Sequence, residues 1–255
     1  MSYLTLSMAL IFVFIPIVLS KVFKLGLEKD TVIATVRSII QLLIVGYLLQ
    51  FVFDSEHRIY IILMIILMIV AATQNARKKG TFIKGITWKL VVTFTAVEIL
   101  TQAILLGFQI TPATAQYIIP ISGMMIGNSM VLSILFLNRF ISEVDANYDQ
   151  TELILSLGGT PKQAIHRQLV AAIRASTIPT IESQKTIGLV QLPGMMSGQI
   201  IAGADPVQAV QFQLLVLFLL LTAAVVSSIM LGYLSYPALF NQRMQLILKP
   251  QEQTE

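Results

Sequence analysis

Residues 207–231 read VQAVQFQLLVLFLLLTAAVVSSIML, 25 positions without an Asp, Glu, Lys or Arg. A helix of that length reaches about 37 Å, more than the roughly 30 Å of a bilayer's hydrocarbon core. Six further stretches are mostly apolar and near spanning length: approximately Tyr3 to Ser20, Thr31 to Phe53, Ile59 to Gln74, Leu90 to Gln109, Thr114 to Leu137 and Thr186 to Ala204. Composition agrees, with 56% of 255 residues hydrophobic and 12% charged, half the charged share of about 25% usual in soluble domains. The expected fold is all-α and polytopic, about seven transmembrane helices in a single domain over residues 1–255.

Basic residues fall on alternate loops. One set holds Lys21, Lys24 and Lys29, then Arg77, Lys78, Lys79, Lys84 and Lys89, then Arg139, Lys162, Arg167, Arg174 and Lys185, and lastly Arg243 and Lys249. The other set holds only Arg58, and Arg37 lies inside a span. The positive-inside rule places the N-terminus outside and the C-terminus in the cytoplasm. The net charge of +4 is therefore topological, which removes the case for nucleic-acid binding. The first apolar run has no basic residue before it and no small-residue cleavage site after it, so it reads as a retained span.

Several chemistries are excluded. The chain has no cysteine, and its two histidines, His57 and His166, fall in different loops, so neither a thiolate site nor a histidine-rich metal site is expected. It contains no P-loop, HExxH or nucleophile elbow. No catalytic residue and no cofactor bound by this chain are expected, and no metal ligands are assigned.

Residues 139–185 form the long polar segment, expected to be cytoplasmic. A first helix there should stop at Gly158 and Gly159. A second starts with Thr160 as cap, Pro161 at the first helical position and Gln163 completing a Thr-x-x-Gln box. Its apolar residues Ala164, Ile165, Leu169, Ala172 and Ile173 recur at helical spacing, opposite Lys162, Arg167 and Arg174, and it should end before Pro179. Such a helix suits docking in a partner's groove; the alternative is an amphipathic helix resting on membrane lipid.

Polar residues inside spans are costly, which makes them candidates for a translocation pathway. Arg37 and Gln41 share one helix face, as do Glu98 and Gln102. Arg37 and Glu98 could pair, or Glu98 could bind a cation; otherwise Arg37 snorkels and Glu98 holds helices together. The hexads Gly123-Met-Met-Ile-Gly-Asn128 and Gly194-Met-Met-Ser-Gly-Gln199 match at four positions and carry GxxxG spacing, which favours close helix packing. With Gly188, Gln191, Pro193 and Gln199, the sixth stretch reads as a kinked, protein-buried helix lining a pathway. Met124, Met125, Met195 and Met196 are either soft-metal ligands or core filler. Thioethers alone would favour copper; iron would need the oxygens of Glu98, Gln102, Asn128 or Gln199.

Glu152 followed by Gly158 and an amphipathic helix resembles the cytoplasmic Glu-Ala-Ala loop of ABC transporter permeases, with Leu153 and Ile154 in place of the alanines. The segments Ile119-PISGMMIGNSM, Glu152-LILSLGGTP and Gly188-LVQLPGMMSGQIIAGADP, with Gln211-Phe-Gln, resemble the FetB-type family of ABC permeases over most of the chain. The resemblance implies a cytoplasmic ATPase partner holding ATP and Mg, two permease copies, a cell-membrane location and, in bacteria, iron export; plant relatives are associated with aluminium tolerance. It implies a coupling helix, placed here on Glu152, Gly158, Gly159, Thr160, Pro161, Ala164 and Arg167. The expected pathway comprises Arg37, Glu98, Gln102, Met125, Asn128, Gln191, Pro193, Met195, Met196 and Gln199. The expectation is thus a permease subunit exporting a metal ion such as iron; the alternatives are a proton-coupled transporter using Glu98, or a membrane scaffold.

Overall fold

The computed structural model describes residues 11–55 and 57–247. Among these the chain is helical: α1 (Ile11–Val22), α2 (Glu28–Asp54), α3 (Arg58–Ala76), α4 (Ile86–Gly107), α5 (Ala115–Ala146), α6 (Tyr148–Ser156), α7 (Pro161–Thr186), α8 (Gly194–Ile201) and α9 (Pro206–Ser235), with 3-10 turns at Arg77–Lys79 and Tyr236–Leu239. Five helices are long and apolar enough to cross a membrane: α2, α3 with its following turn, α4, α5, and α9 with its following turn. The first expected span lies partly outside the described residues, and its described part is the 12-residue α1. The sixth corrects the sequence reading. Residues 186–204 are not one kinked helix but the end of α7, a non-helical stretch at 187–193 and the eight-residue α8.

The helices gather into two compact units, Met1–Arg58 and Ile59–Glu255. In the first unit, the Ser20 hydroxyl fixes the α1–α2 turn, donating to Glu28 Oε1 at 2.9 Å and accepting from the Leu27 N–H at 3.1 Å. Beyond that turn, α2 presents a nearly continuous apolar surface that is left exposed among the described residues.

In the second unit, α4, α5, α7 and α9 pack around two apolar clusters. One joins Leu90 and Phe94 of α4, Phe136 and Phe140 of α5, Ile165 and Leu169 of α7 and Leu231 of α9. The other joins Val97 and Leu105 of α4, Ile121 and Met125 of α5, and Val216 and Leu219 of α9. α9 starts cleanly because the Asp205 carboxylate accepts from the N–H groups of Val207 and Gln208, each at 3.0 Å, with Pro206 next in the chain. Its serines are small enough for close approach, and the Ser176 hydroxyl of α7 donates to Ser228 at 3.0 Å.

α7 is the element that sequence reading misjudged. It continues through Pro179 to Thr186, because packing against α5 and α9 offsets the hydrogen bond a mid-helix proline loses. Its register against α9 is fixed twice: Ser176 lies level with Ser228, and the Gln184 amide donates to the Leu217 carbonyl at 2.8 Å. The second half of α7 therefore lies inside the apolar stretch of α9. Residues 139–185 thus comprise the end of α5, all of α6 and nearly all of α7.

Candidate functional site

Beside the break between α7 and α8 lies a cavity of about 360 Å³. Asn128 of α5, Thr180, Ser183 and Gln184 of α7, Gln191 and Pro193 of the break, and Gln213 of α9 line it, against Leu132, Leu217 and Leu220. The break is closed locally by the Gly188 N–H donating to the Gln191 carbonyl and the Val190 N–H to the Thr186 carbonyl, both at 3.0 Å. Gly188 has φ +88°, a conformation glycine adopts readily and side chains resist. The Asn128 amide donates to the Leu220 carbonyl at 3.5 Å. Gln213 is 6% exposed, and its Oε1 has no hydrogen-bond partner among the described residues. The polar lining consists of neutral amides and hydroxyls, so it can strip water from a polar solute and release it again.

The structure thus brings together three expected pathway residues, Asn128, Gln191 and Pro193, and adds Thr180, Ser183, Gln184 and Gln213. A stripe at four-residue intervals, Ala164, Gln168, Ala172, Ser176, Thr180 and Gln184, is the sequence signal that α7 continues: each is small or polar, and the first four are buried.

Glu98 and Gln102 sit elsewhere. Glu98 is 4% exposed, and its Oε1 accepts from the Ser122 hydroxyl at 2.6 Å and the Gln102 amide at 2.8 Å. Gln102 also donates to Ser122 at 2.9 Å. This triad ties α4 to α5 and is absent from the cavity lining, while Glu98 Oε2 and Gln102 Oε1 are buried without partners among the described residues. Met125 is sealed in the second apolar cluster, Met195 packs against it and Met196 is buried, the surroundings of core methionines. Gln199 is half-buried on α8, and Arg37 is exposed on α2 in the first unit.

The GxxxG glycines differ in their surroundings. A Cβ on Gly123 would touch Met68 at 3.6 Å, whereas Gly127, Gly194 and Gly198 face open space within the chain.

At the other end of the unit lies the elbow between α6 and α7. α6 ends in a Schellman turn, with the Gly159 N–H donating to the Ile154 carbonyl at 2.9 Å and the Gly158 N–H to the Leu155 carbonyl at 3.0 Å. Gly158 has φ +85°, and a Cβ on Gly159 would lie 2.7 Å from the Ile154 carbonyl oxygen. The expected capping box is present: Gln163 N–H donates to the Thr160 hydroxyl at 3.4 Å, and Thr160 N–H to Gln163 Oε1 at 2.9 Å. Pro161 opens α7 as expected. Of the expected coupling residues, Arg167 is exposed and Glu152 half-buried. Ala164 is 1% exposed, so it holds α7 to the bundle and presents nothing to a partner.

Five helices long and apolar enough to cross a membrane define a multi-pass membrane protein. The chain belongs to UPF0014, described as an uncharacterised protein family, whose profile matches residues 3–240. It is 56% identical to the UPF0014 membrane protein YjkA of Bacillus subtilis over 96% of this chain and 98% of that protein. It is 40% identical to the probable iron export permease protein FetB of Escherichia coli over 96% of this chain and 94% of that one. With the protein ALUMINUM SENSITIVE 3 of Arabidopsis thaliana it shares 34% identity over 93% of this chain and 87% of the relative. No solved structure matches the chain.

Proposed function

We propose that this chain is the membrane-spanning permease subunit of an ATP-driven transporter, exporting a metal ion such as iron and coupled to an ATPase on a separate polypeptide. The observation that carries the reading is the continuity of α7. One helix of 26 residues, about 39 Å long, runs from the elbow to the cavity. Its first turns expose Lys162, Gln163, His166 and Arg167 to a partner, and its last turn supplies Ser183 and Gln184 to the cavity. A push on the elbow is passed along a rigid rod to the site where the cargo is held. The cytoplasmic side, the partner's ATP and Mg and the use of two copies follow from the likeness to ABC permeases. Cargo and direction follow from the likeness to FetB, a probable iron export permease. An ion in this cavity meets amide and hydroxyl oxygens, exchangeable ligands of the kind a conduit needs.

The test is co-purification from native membranes in mild detergent, with associated polypeptides identified by mass spectrometry. A stoichiometric ATP-binding subunit is expected with the wild type and lost when His166 and Arg167, both exposed, are replaced by Glu. Absence of any ATPase from the wild-type preparation overturns the reading. One observation favours a second reading, proton coupling: the buried Glu98 carboxyl has an unpartnered oxygen. That reading requires Glu98→Gln to abolish transport, and it requires transport without ATP.

A further inference from the structure

Three side-chain amides from three different helices reach the cavity beside the α7–α8 break: Asn128 of α5, Gln184 of α7 and Gln213 of α9. Two of them are held by the backbone of α9. The Asn128 amide lies 3.5 Å from the Leu220 carbonyl oxygen, and the Gln184 amide 2.8 Å from the Leu217 carbonyl oxygen. A carbonyl oxygen only accepts, so the atom that faces it is in each case the amide nitrogen. With its nitrogen tied to α9, each amide keeps its oxygen for the cavity. Gln213 lies one turn before Leu217 and two before Leu220 on the same face of α9, a reach of about 10 Å along the helix. It is 6% exposed, and its Oε1 has no hydrogen-bond partner among the described residues. A buried acceptor left unpaired is costly, and a positive ligand relieves that cost.

The rest of the lining narrows the ligand. The hydroxyls of Thr180 and Ser183 add oxygens, and no Asp, Glu, His or Met stands among the residues around the cavity. The thioethers lie elsewhere: Met125 is sealed in the second apolar cluster, and Met195 packs against it. Carbonyl and water oxygens suit ions such as Mg²⁺, Ca²⁺ and Mn²⁺, whereas soft ions select sulfur. Neutral oxygens lack the charge to replace a whole hydration shell, and small divalent ions with few protein ligands keep several waters. At about 30 Å³ for each water, a cavity of about 360 Å³ holds an ion with part of its shell.

We infer that the amide oxygens of Asn128, Gln184 and Gln213 form a cation-binding face, which takes an oxygen-seeking divalent cation with part of its water and rejects soft ions. Resting on the reading of this cavity as the cargo's site, the same face selects the cargo, and Gln213 sets the preference because its oxygen is the one left unpaired in the buried wall.

Binding is read on the purified full chain, in whatever complex it leaves the membrane, by the loss of the free Mn²⁺ signal in electron paramagnetic resonance. Gln213→Leu should weaken Mn²⁺ binding at least tenfold. Gln213→Glu, which adds charge at the same position, should tighten it at least tenfold, and Phe218→Ala on the exposed side of α9 should leave it within twofold. Fe²⁺ kept under anaerobic conditions should displace Mn²⁺ from the wild type, and Ag⁺ should not. Gln213→Met puts a thioether of similar size in the amide's place, and there Ag⁺ should displace the remaining Mn²⁺. No saturable Mn²⁺ binding by the folded wild type, or binding unchanged in Gln213→Leu, overturns the inference; so does displacement from the wild type more readily by Ag⁺ than by Fe²⁺. Its failure is distinct from that of the transport reading. If the Gln213 variants behave as expected and no ATPase co-purifies, the site stands and ATP-driven transport falls; if an ATPase co-purifies and metal efflux is unaltered in Gln213→Leu, transport stands and the site falls.

Discussion

α7 and α9 run side by side in opposite directions over nearly the same distance, yet their sequences have little in common. α9 contains no charged residue over 30 positions, while α7 carries Lys162, Arg167, Arg174, Glu182 and Lys185 over 26. The difference follows from what each touches. α9 turns Phe218, Val225 and Ile229 outward, where a bilayer accepts them, and keeps Ser227, Ser228 and Gln213 inward. α7 is held by polar cross-links to α9 and keeps its charges on its exposed side, Lys162 lying over the Tyr233 ring of α9 at 5.8 Å. A helix can thus lie at membrane depth without looking like a span, provided protein or a polar cavity surrounds it.

The contrast can be broken most severely at the seam where α7, α9 and α5 meet. Gly232 of α9 leaves no room for a side chain: a Cβ would lie 2.8 Å from Leu169 Cδ1 and 3.2 Å from Phe136 Cζ. Gly232→Val should destabilise the second unit by about 3 kcal/mol, the upper range for overpacking, read as a lowered thermal midpoint in detergent. Next is the α4–α5 triad. Glu98→Ala removes the acceptor for two buried donors and should cost about 2–3 kcal/mol, whereas Glu98→Gln keeps one acceptor oxygen and should cost less than about 1 kcal/mol. If transport by Glu98→Gln stays within threefold of wild type, Glu98 is a helix tie; abolished transport would return it to the pathway.

A smaller structural effect with a larger functional one is expected at the cavity. Gln184→Leu removes the bond to the Leu217 carbonyl for about 1 kcal/mol, yet should lower transport at least tenfold in a vesicle efflux assay with loaded iron. At the elbow, Gly158→Ala puts a side chain at φ +85°, a strain of roughly 1–2 kcal/mol. ATP hydrolysis should persist while transport falls; unchanged transport would show that the turn's geometry does not carry the coupling. The smallest effect is expected on the lipid side of α9, where Phe218→Ala should change stability by under about 0.5 kcal/mol.

Much of this was legible from residues alone. Thr160, Pro161 and Gln163 announce a helix start through hydrogen bonds made within four residues of chain, so no tertiary context was needed. The glycine stop at 158–159 is local for the same reason. The extent of α7 was hidden because Pro179 and five charges argue against continuation, and because what carries the helix past them is contact with α5 and α9, distant in sequence. The cavity was half visible: Asn128, Gln191 and Pro193 stand out as polar or helix-breaking residues in apolar runs, but Ser183 and Gln184 lie in a stretch that hydropathy assigns to water. Glu98 and the methionines were singled out by residue type, and type alone does not say which way a side chain turns.

By itself the sequence determined that this is an all-helical, multi-pass membrane protein, because transfer free energies act residue by residue and add along an uncharged run such as 207–231. It also determined the helix caps, which are satisfied by near neighbours. Only the tertiary structure decided that the sixth stretch is broken, that α7 belongs to the bundle, and that Gln184 and Gln213 share a cavity while Glu98 does not. Those outcomes depend on which side chains from separate helices meet at one level, as Gln184 meets the Leu217 carbonyl and Ser176 meets Ser228, and no local free energy records that register.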